Sequence, residues 1–274
     1  MLGFDEYARE PEELDLDVGA FLIARDAYPA LDVGAQIGRL DALAEGLGEP
    51  NAGAFAAEDA ARVISRYLYE QLGFRGNEDA YGDPRNSYLS DVLDRRLGIP
   101  ISLAIVLLAI ARRVGIRASG VSFPGHFLVR YERPRGGPLV VDPFYGGRAL
   151  GHPELERLLR RTAGQTARLQ VDHLKPATSR AMLVRVLQNL KGSHLARGDL
   201  PKALLAAARI VSLVPREPSA LRDRGVLQAQ LGAPEGARSD LLRYLELAPD
   251  ASDVGAVRQI LVKIGTRSRA SAAN

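Results

Sequence analysis

The sequence predicts an α+β protein in which a helical N-terminal region precedes a mixed core and a C-terminal helical region. Three observations support this class. Apolar residues recur at helical spacing up to about residue 80, short runs rich in Val, Phe and Tyr follow residue 115, and helical spacing returns in the last third. Helices that precede an antiparallel sheet are typical of the α+β class. A length of 274 residues suggests about two domains.

The N-terminal region, residues 1–80, is predicted to be helical. A first helix carries apolar residues around Phe21 and ends before Pro29, and Asp32 can cap a second helix with its side-chain oxygen. A third helix is predicted from about Ala57 to Gly73, since glycine is favoured just past a helix end.

The core, residues 81–178, is predicted to centre on an apolar helix that runs to Gly115. Pro100 can occupy the first turn of this helix, where its missing N–H costs nothing. Because this helix is apolar on nearly all sides, we expect it to be buried. The following sequence predicts an antiparallel sheet, with a hairpin turn at residues 135–138. Its predicted strands are Ser119–Phe123, Phe127–Glu132 and Leu139–Val141, with Leu169–Leu174 as a candidate fourth.

The C-terminal region, residues 179–266, repeats itself. The segment Gly198–Ala203 matches Gly232–Ala237 at an offset of 34 residues, and Pro215 and Pro249 keep that offset. This spacing is the tetratricopeptide period, and arrays of such repeats form concave surfaces that bind peptides or helices. The sequence therefore predicts a protein or peptide partner bound by these helices. Residues 267–274 are predicted to be a disordered tail.

Composition excludes several classes of site. The chain has no cysteine and four histidines, so we expect no disulfide, no metal site and no cofactor. No apolar run is long enough to span a bilayer, and the acidic N-terminus is unlike a secretory signal, which together predict a cytoplasmic protein without membrane contact. The net charge of +3 and the lack of aromatic residues among basic ones argue against nucleic acid as a partner.

Charge is distributed unevenly along the chain. Residues 1–20 are acidic apart from Arg9, whereas residues 157–197 are basic apart from Asp172. One interpretation is two solvated faces. The other is an electrostatic docking surface for an acidic partner, or for the acidic N-terminus itself.

Three segments together resemble the SirB-type bacterial family. They are Asn86–Ala104, which contains Gly-Ile-Pro-Ile-Ser-Leu-Ala, then Phe123-Pro-Gly-His-Phe-Leu-Val-Arg130, then Asp142-Pro-Phe-Tyr-Gly-Gly147. The early segment Leu22–Asp32 is similar to that family too. The resemblance implies a core of the papain/transglutaminase-like fold joined to a short tetratricopeptide segment.

The resemblance also implies where a catalytic triad would lie. In the transglutaminase-like superfamily a cysteine opens the central helix, a histidine lies on the next strand, and an aspartate lies on the one after. In this chain His126 and Asp142 match, but Pro100 falls at the cysteine position. We therefore expect a non-catalytic protein, a pseudoenzyme that acts as a protein-binding scaffold or regulatory adaptor.

The alternative function is a serine-dependent hydrolase or acyltransferase that uses Ser102, His126 and Asp142. Ser102 stands two residues after Pro100, so its side chain is rotated about 200° away from position 100. A serine in the first turn of a helix is more often a local hydrogen-bonding group. Without a nucleophile, His126 and Asp142 are either a buried structural pair or part of a binding cleft that Pro100 and Asn86 help to line.

Overall fold

The structure is a computed structural model that describes residues 3–10, 14–48 and 56–272, with side chains described up to residue 265. It is rich in helices. The α-helices of the described residues are α1 (Phe4–Ala8), α2 (Leu16–Ala27), α3 (Val33–Leu47), α4 (Ala57–Ser65), α5 (Leu89–Arg95), α6 (Pro100–Arg113), α7 (His152–Ala163), α8 (Ser179–Ala196), α9 (Leu200–Leu213), α10 (Pro218–Gln230), α11 (Pro234–Leu247) and α12 (Val254–Ala272).

The strands form two sheets. The first is a parallel pair, β1 (Arg75–Gly76) with β2 (Leu97–Gly98). The second is antiparallel and follows chain order: β3 (Ala118–Val121), β4 (Leu128–Tyr131), β5 (Leu139–Asp142) and β6 (Arg148–Leu150). The α+β class and the antiparallel sheet predicted from the sequence are confirmed.

The chain divides into two compact units. The core unit runs from Glu10 to Val186, and the repeat unit combines the N-terminal segment through Arg9 with Leu187 onwards. Helix α8 crosses the boundary between them. The part of the chain that the structure describes contains no helix long and apolar enough to cross a membrane.

Helix α6 is the centre of the core unit. Pro100 is its first residue, and its residues from Pro100 to Leu107 are all buried. It packs against α2, α3, α4 and α5 and against strands β3 and β4. The apolar sequence of this segment therefore has partners on every side, as expected for a helix without a polar face.

A π-helical segment, Arg66–Gln71, continues α4 and ends before Gly73, which has a φ of +74°. The sequence predicts one regular helix over this stretch. A π-helix forms i→i+5 hydrogen bonds, so its side chains leave the 3.6-residue spacing on which that expectation rests. π-Helical segments are rare in proteins, and those that occur often lie at functional sites.

Two sequence expectations are wrong. Residues Val171–Leu174 form a 3₁₀ turn instead of a strand, because the Nδ1 of His173 accepts the Gln170 N–H at 3.2 Å and closes a local turn. Helix α12 extends through residues 267–272, where the sequence predicts disorder. These residues include Ala and Arg, which are good helix formers, and no Gly or Pro follows Gly265. Residues 273 and 274 lie outside the described residues.

In the repeat unit, α9 packs against α10, α10 against α11 and α11 against α12, and α11 begins 34 residues after α9, as the predicted offset requires. Gly198 and Gly232 both adopt positive φ, +72° and +75°, and each lies two residues past the end of a helix. Gly225 of α10 lies so close to α11 that a Cβ there would be 2.8 Å from Leu241 Cγ. This close approach requires glycine and brings the two helices of the second repeat together.

The short helix α1 also belongs to the repeat unit. Its Phe4 and Tyr7 are buried, and Asp5 accepts hydrogen bonds from Arg209 Nη1 at 2.9 Å and Ser212 Oγ at 2.7 Å on α9. The Arg209 guanidinium also lies over the Phe4 ring, 5.0 Å from its centroid. The Ser212 hydroxyl, together with Arg209, holds the pKa of Asp5 below its ordinary value. Part of the acidic N-terminus therefore docks on basic and polar groups of its own chain.

Candidate functional site

His126 and Asp142 are hydrogen-bonded to each other in the core unit. The His126 Nε2 lies 3.0 Å and 2.9 Å from the two carboxylate oxygens of Asp142. The side chains are 11% and 5% exposed, respectively. Because a carboxylate only accepts, Nε2 is the donor in these contacts. Among the described residues Nδ1 has no hydrogen-bond partner.

A tight turn places His126. The backbone N–H of His126 donates to Phe123 O at 3.0 Å, and Gly125 adopts a φ of +67°. A Cβ on Gly125 would be 2.7 Å from Thr162 Cβ, so only glycine allows this approach to α7. The Pro-Gly pair before His126 therefore forms a turn that precedes β4 and packs closely against α7.

Asp142 also organises the turn after β5. Its Oδ1 accepts the Phe144 N–H at 3.0 Å, and its backbone carbonyl accepts the Gly147 N–H at 2.8 Å. Gly147 has a φ of +71°, and a Cβ there would overlap the Ser65 hydroxyl at 2.1 Å. This turn holds the end of α4 close to Asp142.

The Tyr69 hydroxyl lies near Asp142 and near the Tyr131 hydroxyl, and neither tyrosine belongs to the pattern that the sequence singles out. Tyr69 belongs to the π-helical segment and Tyr131 to β4, and their hydroxyl oxygens are buried without a hydrogen-bond partner among the described residues. Burial, with contributions from Tyr131 and the Asp142 charge, raises the pKa of Tyr69 well above its ordinary value, and burial also raises the pKa of Tyr131. Both hydroxyls therefore stay protonated at neutral pH and can donate. We define the His126 cluster as His126, Asp142, Tyr69 and Tyr131.

Ser102 is held in a different set of hydrogen bonds. It is 1% exposed, and its hydroxyl donates to Asn86 O at 2.6 Å and accepts the Ile99 N–H at 3.0 Å. The hydroxyl therefore caps the start of its own helix. The partners of the Ser102 hydroxyl among the described residues are backbone groups of Asn86 and Ile99, and His126 is not one of them.

Asn86 is fully buried next to Ser102. Its Nδ2 donates to Ala80 O at 2.7 Å and to Tyr81 O at 3.2 Å. Its Oδ1 accepts from Asn77 Nδ2 at 2.9 Å and Arg95 Nη1 at 3.2 Å. Asn86 therefore binds a loop to α5. We define the Ser102 cluster as Ser102, Ile99, Asn86, Asn77 and Arg95.

The structure thus sorts the residues proposed for a cleft into separate groups. Asn86 and Ser102 share one network, and His126 and Asp142 share another. No hydrogen bond among the described residues joins the two networks. Pro100 is buried at the first position of α6.

Comparisons with known proteins agree with the sequence resemblance. A transglutaminase-like superfamily model matches residues 35–188, and a tetratricopeptide repeat model matches residues 190–262. A UPF0162 protein of Xylella fastidiosa is 45% identical over 93% of this chain and 92% of that protein. The UPF0162 protein PA3419 of Pseudomonas aeruginosa is 36% identical over 91% of this chain and 90% of that protein.

A relative with a SirB name is also similar. Protein SirB1 of Salmonella typhimurium is 27% identical over 81% of both chains. The matched superfamily model covers α4 to α7 and both sheets, and the repeat model covers α9 to α11. The chain therefore belongs to the UPF0162 or SirB-type family, which joins a transglutaminase-like domain to tetratricopeptide repeats.

Proposed function

We propose that this protein is a non-catalytic member of the transglutaminase-like superfamily that acts as a protein-binding scaffold or regulatory adaptor in the cytoplasm. The observation that carries the proposal is the absence of a nucleophile beside the His–Asp pair in the described core. Pro100 stands at the cysteine position, and the Ser102 hydroxyl is engaged by Asn86 and Ile99. A serine with its proton directed to a backbone carbonyl and not to an imidazole lacks the base that acyl transfer requires.

The repeat unit supports the binding half of the proposal. Its helices and the turn after α10 expose apolar side chains, which are Leu195, Leu205, Leu231, Leu242 and Val262. Exposed apolar groups on tetratricopeptide helices are suited to an amphipathic partner segment.

Charge favours an acidic partner. On α11, Arg238 lies one turn before Leu242, and on α12, Arg258 lies one turn before Val262, and all four side chains are exposed. Residues four apart lie on one helix face, so each helix presents a basic and an apolar group together. We therefore infer a partner segment that carries acidic and apolar side chains on one face.

Binding is tested with a panel of fluorescent helical peptides that combine Glu with Leu, titrated with the full chain at several salt concentrations. We expect binding that weakens as salt rises, and a loss of about tenfold or more in Arg238→Gln/Arg258→Gln. The matched control is Arg117→Gln/Arg168→Gln, which removes the same charge from exposed positions of the core unit. Binding that ignores both salt and Arg238→Gln/Arg258→Gln would exclude an acidic partner on this surface.

The absence of catalysis is tested with a covalent serine-hydrolase probe on the wild type and Ser102→Ala. We expect no labelling of either protein. Labelling of the wild type that disappears in Ser102→Ala would replace the scaffold proposal with the hydrolase or acyltransferase alternative, in which His126 serves as base and Asp142 orients it.

A further inference from the structure

A cavity of about 330 Å³ adjoins Asp142 in the core unit. Its walls come from the turn after β5, from β6 and from one face of α7. On α7 the lining residues are Glu154, Arg157, Leu158 and Arg161. They follow a spacing of three, four and seven residues, which places them on a single helix face.

Two of the arginines that line the cavity have no side-chain partner among the described residues. Arg148 on β6 and Arg161 on α7 line it, and neither has a side-chain hydrogen bond or ion pair among the described residues. The third arginine, Arg157, donates to Glu154 Oε1 at 2.7 Å. Two unpaired guanidinium groups at one cavity are a recognition element for a carboxylate or a phosphate.

The carboxylates of the lining already have donors. Glu154 Oε2 accepts the Gly151 N–H at 3.1 Å, and Asp142 accepts from His126 and from the Phe144 N–H. The lining residues therefore carry three guanidinium groups and two carboxylates, which leaves an excess of one positive charge. That excess matches a monoanion such as a carboxylate better than a doubly charged phosphate, because the two carboxylates also repel added negative charge.

The remaining lining is apolar or aromatic. Leu158 belongs to the buried cluster that includes Val121 and Phe123, and Leu150 packs against that cluster. The Tyr145 ring is half exposed and meets the buried Phe144 ring edge-on, with 5.1 Å between centroids. The volume lies at the lower end of the range of about 300–1,000 Å³ for small-molecule sites. Such a cavity suits a compact aliphatic body of about the size of one amino-acid side chain.

We propose that this cavity binds an aliphatic carboxylate, with the carboxylate between Arg148 and Arg161 and the aliphatic part on Leu150 and Leu158. The site lies in the core unit and does not depend on the repeat helices, so it goes beyond the scaffold function proposed above. Two sources share this chemistry: a free small carboxylic acid, and the C-terminal residue of a peptide chain.

The test measures binding of N-acetyl-leucine to the full chain by isothermal titration and NMR chemical-shift changes. We expect saturable binding, and a loss of about tenfold or more with N-acetyl-leucinamide, which keeps the shape and removes the charge. Inorganic phosphate is the third probe and is expected to bind more weakly. Tighter binding of phosphate, or equal binding of the amide, would overturn the assignment.

The variant that tests the site is Arg148→Gln/Arg161→Gln. Both side chains are exposed and unpaired among the described residues, so we expect an unchanged thermal midpoint and a loss of binding of about tenfold or more. Arg117→Gln/Arg168→Gln again removes the same charge outside the cavity and should bind like the wild type. Failure of the wild type to bind N-acetyl-leucine, or wild-type binding by Arg148→Gln/Arg161→Gln, would refute the proposal.

A second titration separates the two sources. Short peptides that end in leucine are compared with N-acetyl-leucine at equal concentration. Tighter binding of the peptides supports a chain end as the ligand, whereas exclusion of the peptides with retained binding of N-acetyl-leucine supports a small free acid.

Discussion

The core unit contains two buried polar clusters that differ in how fully their groups are paired. In the Ser102 cluster, the Ser102 hydroxyl and both ends of the Asn86 amide have partners at 2.6–3.2 Å. In the His126 cluster, the two tyrosine hydroxyls are buried without a partner among the described residues, and Nδ1 of the partly exposed His126 ring has none there either. A fully paired buried network stabilises one fold. A buried polar group without a partner lowers stability, and such groups are typical of sites that bind a ligand. The difference separates a structural cluster from a candidate binding cluster in the same domain.

The largest effect should come from breaking the fully paired cluster at its centre. Asn86→Ala removes hydrogen bonds to two backbone carbonyls and leaves Asn77 and Arg95 without their acceptor. We expect the free energy of unfolding to fall by about 3 kcal/mol or more. Urea unfolding followed by circular dichroism measures this, with the exposed Gln188→Ala as a control that should change it by less than about 0.5 kcal/mol. A wild-type curve for Asn86→Ala would show that the network is not structural.

Ser102→Ala should have the next largest effect. It removes the helix cap and leaves the Asn86 carbonyl and the Ile99 N–H, both inside the core, without this partner. We expect a loss of about 2 kcal/mol in the same unfolding experiment. A Ser102→Ala protein as stable as the wild type would mean that the hydroxyl does not cap α6.

His126→Ala should cost less, about 1 kcal/mol, because the Asp142 carboxylate keeps the Phe144 N–H and water can reach the partly exposed side. Asp142→Asn is the companion variant, since an amide can still accept from the ring. If His126→Ala leaves the free energy of unfolding nearly unchanged, the two clusters differ more clearly, because the His126–Asp142 pair then has little structural role. A loss as large as that of Asn86→Ala would instead place His126 with the structural groups.

Tyr69→Phe should have the smallest effect at neutral pH. Its hydroxyl has no partner among the described residues, so its removal should leave stability unchanged or raise it slightly. Above pH 10, the ordinary pKa of tyrosine, the Tyr69 hydroxyl affects the free energy of unfolding. There the unfolded chain releases the proton while the raised pKa of the folded state retains it, so the wild type loses stability as pH rises and Tyr69→Phe loses less. Urea unfolding at pH 7 and above pH 10 tests both statements, and a clear loss at pH 7 would reveal a partner for the hydroxyl.

The sequence predicts those parts of the fold that have a periodic or punctuated signal. Helix α6 follows from its apolar run and Pro100, and the order of β3, β4 and β5 follows from short Val- and Phe-rich segments. It does not predict β1, β2 or β6, since strands of two or three residues carry no alternation. The 3₁₀ turn at Val171–Leu174 depends on a hydrogen bond to the His173 side chain, and the spacing of apolar residues does not predict such a bond.

The candidate site is predictable only in part for a similar reason. The resemblance singles out His126 and Asp142, and the structure gives their distance. The resemblance does not single out Tyr69 or Tyr131. Their hydroxyls are buried because of how the π-helical segment and β4 pack, which the sequence pattern does not show. The basic stretch includes Arg157, Arg160 and Arg161, but only the orientation of α7 distinguishes those that line the cavity from Arg160, which pairs with Glu156.

The docking of α1 on α9 has a consequence for how the protein is made. The Asp5–Arg209 contact joins residues 204 positions apart in the sequence. During synthesis, the first helix leaves the ribosome long before its binding surface exists, and the core unit between them can fold in the meantime. The repeat unit is completed only when the chain's first residues return to its last third. A fragment that begins at residue 187 would lack this helix and leave the α9 surface that receives Phe4 and Tyr7 uncovered.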